Sequence, residues 1–331
     1  MKNITLKSRP KILVVGSFVM DQIAITAVLP KEGQSVLGKT FQKAPGGKGA
    51  NQAVQAARLG ADVTVIGKIG NDANGQEMLS VCNDAGVNTD HVICCKEGVA
   101  SGCAFIILEE KPDNTTANRI LVLPGTNMTI HMNELQGIEE IISNSDMVML
   151  QLEIPMEITL YVAKTAANYS IPVMLNPAPY APIPEDLLSY ITYISPNETE
   201  AEDITGVHIP HDKEFCDLDV AKHAASIIRE KGVKSVLITL GSAGAVMLND
   251  EGFFFSPSVE GVKAVDPTAA GDSFVSAFCT AVCFGLDDKD AMIFANHTAA
   301  ITVSKMGAMP SLPYYEDVIN GKDGTLLPKL Y

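Results

Sequence analysis

No stretch of this 331-residue chain approaches the ~20 consecutive apolar residues that cross a bilayer, although 47% of its residues are hydrophobic. Basic residues are also in deficit: 24 Lys and Arg stand against 39 Asp and Glu, a formal net charge of −15. With no basic patch in view, that balance argues against nucleic-acid binding. The acidic surplus itself is a matter of solubility and is assigned no function. No C-x-x-C pair occurs among the seven cysteines, at 82, 94, 95, 103, 216, 279 and 283. An odd count without such a pair argues against a disulfide framework and a zinc site, and it fits a reducing cytoplasm. Cys279 and Cys283, one turn apart on an apolar helix, read as small core residues. Gly16-Ser17-Phe18 lacks the G-x-G-x-x-G that a dinucleotide site needs after its first strand, which sets aside a nicotinamide-dependent dehydrogenase. The short ILVV run near the start, interrupted by Gly16, reads as a first strand and not a secretory signal. No linker rich in Pro, Gly or Ser divides the chain, so one domain over 1–331 is expected.

What the chain does contain is a set of strand-length apolar runs: Ile12–Val15, Val63–Ile66, Met147–Leu150, Val173–Leu175, Tyr190–Ile194 and Val236–Thr239. They alternate with amphipathic stretches such as Val220–Lys231. Continuous apolar strands between helices indicate an α/β fold whose parallel sheet is covered on both faces. Two regions, 21–44 and 100–124, break the pattern with alternating stretches (Gly102–Leu108, Arg119–Leu123) that read as antiparallel strands of a second, small sheet. The intervening loop, Glu109–Asn118, reads as a solvated tip without chemistry.

Two glycine-rich segments carry the chemistry. In Asp266-Pro267-Thr268-Ala269-Ala270-Gly271-Asp272, small residues and a carboxylate stand where a loop enters a long apolar helix, Ser273 to Phe284. Small residues let backbone amides approach an anion, and the positive end of the helix dipole favours negative charge there. Asp272 is placed to take a proton from an alcohol while those amides stabilise a phosphoryl group in transfer. The plainer reading is a helix cap. In Pro45-Gly46-Gly47-Lys48-Gly49-Ala50-Asn51-Gln52-Ala53, three glycines bracket a lysine ahead of a helical pattern at Ala53, Val54, Ala57 and Leu59. A mere turn does not require the interleaved Lys and Asn.

Together these segments resemble the signatures of the ribokinase-like (PfkB) sugar kinase family. The resemblance runs over essentially the whole chain. Gln151-Leu152-Glu153, Asn176-Pro177-Ala178-Pro179, Pro196-Asn197-Glu198-Thr199-Glu200, Thr239-Leu240-Gly241-Ser242 and Gly307-Ala308-Met309-Pro310-Ser311 follow in the family's order. GGKGAN with QLE and NPAP narrows it to the ribokinase branch. It implies a three-layer α/β/α fold with a β-sheet lid, strands at about 18–44 and 100–124, which also forms a homodimer contact. It further implies transfer of the ATP γ-phosphoryl group to a sugar alcohol, D-ribose at its 5-hydroxyl, with 2-deoxyribose or another sugar or nucleoside as alternatives.

Residue by residue, the resemblance makes Asp272 the general base and the backbone of Ala269, Ala270 and Gly271 the anion hole. In a loose phosphoryl-transfer transition state the hydroxyl proton leaves late, so a weak but well-placed base suffices. The sugar falls to Asp21, Gly47, Asn51 and Glu153, with Val19, Met20, Lys48, Gly49 and Ala50 beside them. Asp21 would accept from two adjacent hydroxyls; alone, it could be a turn residue. The nucleotide falls to Asn197, the loop Thr239, Leu240, Gly241, Ser242, Ala243 and Gly244, and Asn296. Glu200 would hold Mg2+ through water, which suits a lone carboxylate; an acidic helix start is the alternative. Lys48 either helps with phosphate charge or is solvated. Potassium would lie among Asp266, Thr268, Thr302, Lys305, Gly307 and Ser311, largely on backbone oxygens. His297 reads as a core residue.

One position departs from the branch. Val19 stands two residues before Asp21 where an Asn is common, removing a possible hydroxyl contact and putting ribose itself in question. A binding protein that kept this fold and lost catalysis is the other class of reading. The joint presence of Asp272, Gly271, Asn51 and Glu200 argues against it.

Overall fold

The computed structural model describes residues 9–96, 98–110, 116–210 and 216–320. Fourteen strands are described. They are β1 (Lys11–Val15), β2 (Val19–Thr26), β3 (Thr40–Gly46), β4 (Asp62–Ile66), β5 (Lys68–Gly70), β6 (Ile93–Cys95), β7 (Gly102–Glu110), β8 (Thr116–Leu123), β9 (Met147–Leu150), β10 (Val173–Leu175), β11 (Tyr193–Ile194), β12 (Ser235–Thr239), β13 (Gly244–Asn249) and β14 (Gly252–Pro257). The helices are α1 (Lys48–Arg58), α2 (Ala73–Asp84), α3 (Ile138–Ser143), α4 (Met156–Asn168), α5 (Glu185–Leu188), α6 (Glu198–Thr205), α7 (Leu218–Glu230), α8 (Ala270–Phe284), α9 (Asp288–Val303) and α10 (Tyr315–Ile319).

Eight strands form the central sheet in the order β14-β13-β12-β11-β10-β9-β1-β4, parallel except for β13 and β14. Strand side chains alternate between faces, and the two cores follow that alternation. Ile12 and Val14 of β1 join Met147, Met149, α1, α8 and α9 on one side. Leu13 and Val15 join Val148, Leu150, α3, α4 and α7 on the other. This is the expected sheet covered on both faces.

Chain order reverses at β1, whose neighbours are β4 on one side and β9 on the other. In open α/β sheets ligands bind outside the carboxyl ends of the strands at such a reversal. Ser17, just beyond β1, donates from Oγ to Glu153 Oε2, just beyond β9. That hydrogen bond spans the crevice.

The expected second sheet is present, with strand order β3-β2-β7-β8. One expectation is corrected: β2 and β7 pair in parallel, and only the outer pairs are antiparallel. The 75 residues between Thr26 and Gly102 carry a long crossover through α1 and α2, which parallel pairing requires. At the root of this sheet Asn127 holds the Phe18 peptide from both sides, accepting from its N–H at 2.9 Å and donating to its carbonyl at 2.7 Å. Of the expected loop Glu109–Asn118, the two ends lie in β7 and β8, and 111–115 fall outside the described residues.

Element boundaries differ where capping decides them. The run at Tyr190–Ile194 keeps only Tyr193–Ile194 as strand, because the amides of Tyr190 and Ile191 close the turn after α5 on the carbonyls of Leu187 and Leu188. α7 starts at Leu218, where the Asp217 side chain accepts from the amides of Asp219 and Val220. α8 starts at Ala270, three residues earlier than its apolar pattern, and α1 at Lys48, five residues earlier. Cys279 is fully buried and Cys283 half-buried in α8, as core residues. Among the described residues no helix is long and apolar enough to cross a membrane.

Candidate active site at the convergence of two helix starts

Two short helical starts converge on the crevice. α1 enters through Gly47, whose φ is 92°; a Cβ there would sit 2.6 Å from the Val19 amide nitrogen. Gly49 is as tightly held, since its Cβ would lie 2.5 Å from the Ser17 nitrogen. These glycines let α1 press against the end of β1, with the Ala50 amide donating to the Ser17 carbonyl. Glu153 Oε2 accepts from the Lys48 amide at 3.0 Å, so a carboxylate sits at the positive end of α1.

α8 enters through Ala269, one of the few non-glycine residues at positive φ, 62°. That left-handed backbone is uncommon for alanine and marks a turn held by its surroundings. It leaves the amides of Gly271 and Asp272 in the first turn without intrahelical acceptors, available to an anion.

Asp272 is 5% exposed. Its Oδ2 accepts from Asn51 Nδ2 at 2.8 Å and its Oδ1 from Gln52 Nε2 at 3.0 Å. Beside it, Lys48 faces the carboxylates of Asp272, Glu153 and Glu200. Burial by itself lowers an ammonium pKa, but these three charges together raise that of Lys48 above its usual value, so it remains a cation.

Asp272, Gly271, Lys48, Asn176, Asn197 and Glu200 are among the residues lining a cavity of about 190 Å³. A second cavity of about 430 Å³ is lined by Thr239, Gly241, Ser242, Gly244 and Asn296 together with apolar Val262, Phe274 and Val303. Asn197, Thr239, Pro267, Ala270 and Gly271 border both, so the two are continuous. A polar chamber with a cation and two helix starts thus opens into a partly apolar slot suited to a flat heterocycle.

Asn197 and Glu200 also form a reciprocal cap on α6: Asn197 Oδ1 accepts from the Glu200 amide and Glu200 Oε2 from the Asn197 amide, each at 2.8 Å. The acidic helix start and the cavity wall are therefore the same residues. Burial raises the Glu200 pKa against the opposing pull of the Asn197 amide and Lys48.

Asp21 lies on β2, where burial first, then Glu153 and Asp266, push its carboxyl up to about 6. Asp266 ties two segments together: Oδ1 accepts from Thr268 N at 3.0 Å and Thr268 Oγ1 at 2.6 Å, and Oδ2 from Gly307 N at 2.8 Å. Thr302 accepts at its carbonyl from Lys305 N, and Ser311 Oγ donates to Ala308 O. Among the described residues no cluster of three or more His, Cys, Asp or Glu is placed to hold a metal ion.

Several expected site residues do not face the cavities. Met20 is fully buried in the core opposite Asp21, because neighbours on a strand point to opposite faces. Ala50 is core, and Gly49 is required by helix–strand approach. Leu240 is buried in the second core and Ala243 packs against it. Asn296 does line the slot, but its Nδ2 donates to Ser256 Oγ at 2.7 Å and to the Ser256 carbonyl at 3.1 Å, which anchors β14. His297 is half-buried in α9.

Ser17, Gln52, Gln151 and Asn176, to which the motifs give no role, also make side-chain hydrogen bonds around the site. Each stands within or next to a motif already singled out, but nothing in the spacing shows which amide reaches Asp272.

The model of the pfkB family carbohydrate kinases matches residues 9–314. The chain is 39% identical to the ribokinase of Schizosaccharomyces pombe over 309 residues, 91% of this chain and 94% of that one. It is 37% identical to the ribokinase of Haemophilus influenzae, over 94% of this chain and 98% of the other. Among solved structures, that of Arabidopsis thaliana ribokinase complexed with ribose and ATP superposes with a TM-score of 0.85 at 32% identity, covering 95% of this chain and 98% of that one.

Proposed function

Since the chain belongs to the pfkB family of carbohydrate kinases, we propose that it transfers the γ-phosphoryl group of ATP to the 5-hydroxyl of D-ribose, with Asp272 as general base. The observation that carries this reading is the buried Asp272 carboxylate at the α8 start, in a chamber it shares with Lys48. The hydroxyl proton passes to Asp272 as the new O–P bond forms and the bond from the γ-phosphorus to the bridging β-phosphate oxygen breaks, releasing ADP. The first-turn amides of α8 and Lys48 balance the charge on the transferred group. Asp21, Glu153, Asn51 and Gly47 bind the sugar, and β2, β3, β7 and β8 form a lid over it. The slot lined by Thr239, Gly241, Ser242 and Gly244 takes the nucleotide.

The oxygen donors fit two cations. Glu200, which borders the chamber, would hold Mg2+ through water, neutralising phosphate charge. The carbonyls of the segments joined by Asp266, from Thr268 to Ser311, would hold K+ and stiffen the anion hole beside them. We assign the protein to the cytoplasm, which suits the free cysteines among its described residues, and read it as a homodimer through the lid.

Val19 favours a second reading, 2-deoxyribose. It is 5% exposed and shares the Asp21 face of β2, so it offers the sugar an apolar contact where a hydroxyl would need a partner. A panel of pentoses and hexoses assayed with ATP, in potassium and in sodium, tests both readings. Ribose is expected to give the highest kcat/KM and potassium a severalfold higher rate; no turnover of any pentose would refute the proposal.

A further inference from the structure

Gln52 is fully buried and has no place in the chemistry above. We propose that it is a positioning residue that fixes the orientation of the Asp272 carboxylate, an inference that rests on Asp272 being the base.

Asp272 is held at two points, and Gln52 supplies one of them, Nε2 to Oδ1 at 3.0 Å. An amide has a donor end and an acceptor end, and here the direction is set by a backbone group that cannot reverse. The Ser195 carbonyl only accepts, so it takes the Asn176 Nδ2 at 2.9 Å. That leaves Asn176 Oδ1 facing Gln52, which must answer with its nitrogen, at 3.2 Å. Gln52 Oε1 is then turned to Gln151 Nε2, 2.5 Å away. A reversed Gln52 would set its oxygen against both Asn176 Oδ1 and the Asp272 carboxylate, and its nitrogen against that of Gln151. The main chain of Gln52 is held as well, its carbonyl accepting from Ser276 Oγ at 3.0 Å.

The polarity of one backbone carbonyl is thus relayed through Asn176 and Gln52 to the carboxylate. The result is that Oδ1 always meets an N–H. With Asn51 on Oδ2, rotation of the carboxylate about its Cβ–Cγ bond breaks one bond or both, and the base stays aimed without input from substrate. Without Gln52 a single donor remains, and the carboxylate can turn about it. Misplacement of a reacting group by about 1 Å can lower the rate on the order of 100-fold.

The test compares kcat, KM and pH profiles of Gln52→Met, Gln52→Glu and Asp272→Asn, with ribose and ATP as substrates. Gln52→Met keeps the volume and loses the donor. It is expected to lower kcat on the order of 10- to 100-fold while both KM values stay within about threefold. Gln52→Glu keeps an acceptor for Gln151 but puts a second carboxylate against Asp272. It is expected to move the acid limb of the kcat profile up by about one pH unit. Thermal unfolding and ATP binding verify the fold, and if Gln52→Met does not fold, the Gln52→Glu profile decides alone. Near-normal turnover in Asp272→Asn would remove the base itself. An inactive Asp272→Asn alongside Gln52→Met with kcat within twofold of wild type, or Gln52→Glu with an unshifted limb, would overturn the positioning role alone.

Discussion

Asn51 Nδ2 donates to Asp272 Oδ2 across 2.8 Å, joining the start of α1 to the start of α8. Two positive helix ends therefore face one point, with the Lys48 ammonium beside them, and negative charge is favoured there before any ligand arrives. Asp272→Asn leaves this anion environment nearly intact and removes the proposed proton acceptor. Turnover is expected to fall on the order of 1,000-fold, while ATP and sugar affinity change by no more than several-fold. Single-turnover kinetics paired with equilibrium binding measure the two separately.

Asp21 predicts a pH dependence of opposite signs in binding and stability. Its carboxyl titrates at about 6 in the folded chain and at 3.8 when unperturbed. The folded state therefore holds the proton more tightly, and stability falls as pH rises from about 4 through 6. Asp21→Asn removes that penalty. Discounted for partial exposure, the gain at pH 7 is on the order of 1 kcal/mol, or ~2 °C in Tm, and it vanishes below pH 4. The same variant is expected to raise the sugar KM, as is lowering the pH below 6 in the wild type. Melting curves at pH 4 and 7 check it, and a gain of equal size at both would contradict the assigned burial.

Val19 and Asp21 occupy the same face of β2, two residues apart. Val19→Asn supplies an amide to that face. The ratio of kcat/KM for ribose over 2-deoxyribose is expected to rise about tenfold. An unchanged ratio in competition assays would show that position 19 does not read the 2-hydroxyl.

The four-stranded sheet ends in an apolar edge at β8. Ile120, Leu121 and Val122 of β8 are 56%, 59% and 50% exposed, and Phe105 on the neighbouring β7 is 43% exposed. An open edge strand of this composition invites pairing unless covered. A second copy is the expected cover. Light scattering should give twice the mass of the 331-residue chain, and the double variant Ile120→Lys, Leu121→Asp half of that. A monomeric wild type at micromolar concentration would remove the dimer proposal.

Much of this was readable without coordinates, because apolar periodicity and glycine-rich helix starts are local properties. The runs at Ile12–Val15 and Met147–Leu150 announce buried parallel strands, and Ala269-Ala270-Gly271 ahead of the apolar run announces a helix entry. The helix starts were read late because backbone geometry set them. The left-handed turn at Ala269 begins α8 within the small-residue segment, and tight packing on β1 brings Lys48 and Gly49 into α1. Parallel pairing of β2 with β7 was not legible, since both strand patterns suit either direction and only the crossover between them decides.

The sequence alone determined the layered fold and the chemical types gathered near the two glycine-rich segments, but not where the helices there begin. Only the tertiary structure decided which groups meet. Side chains 220 residues apart, Gln52 and Asp272, touch because α1 packs on α8, and Asn176 gives Gln52 its direction because β10 ends beside them. Periodicity records which way a residue faces. It carries no information on what the rest of the chain places opposite.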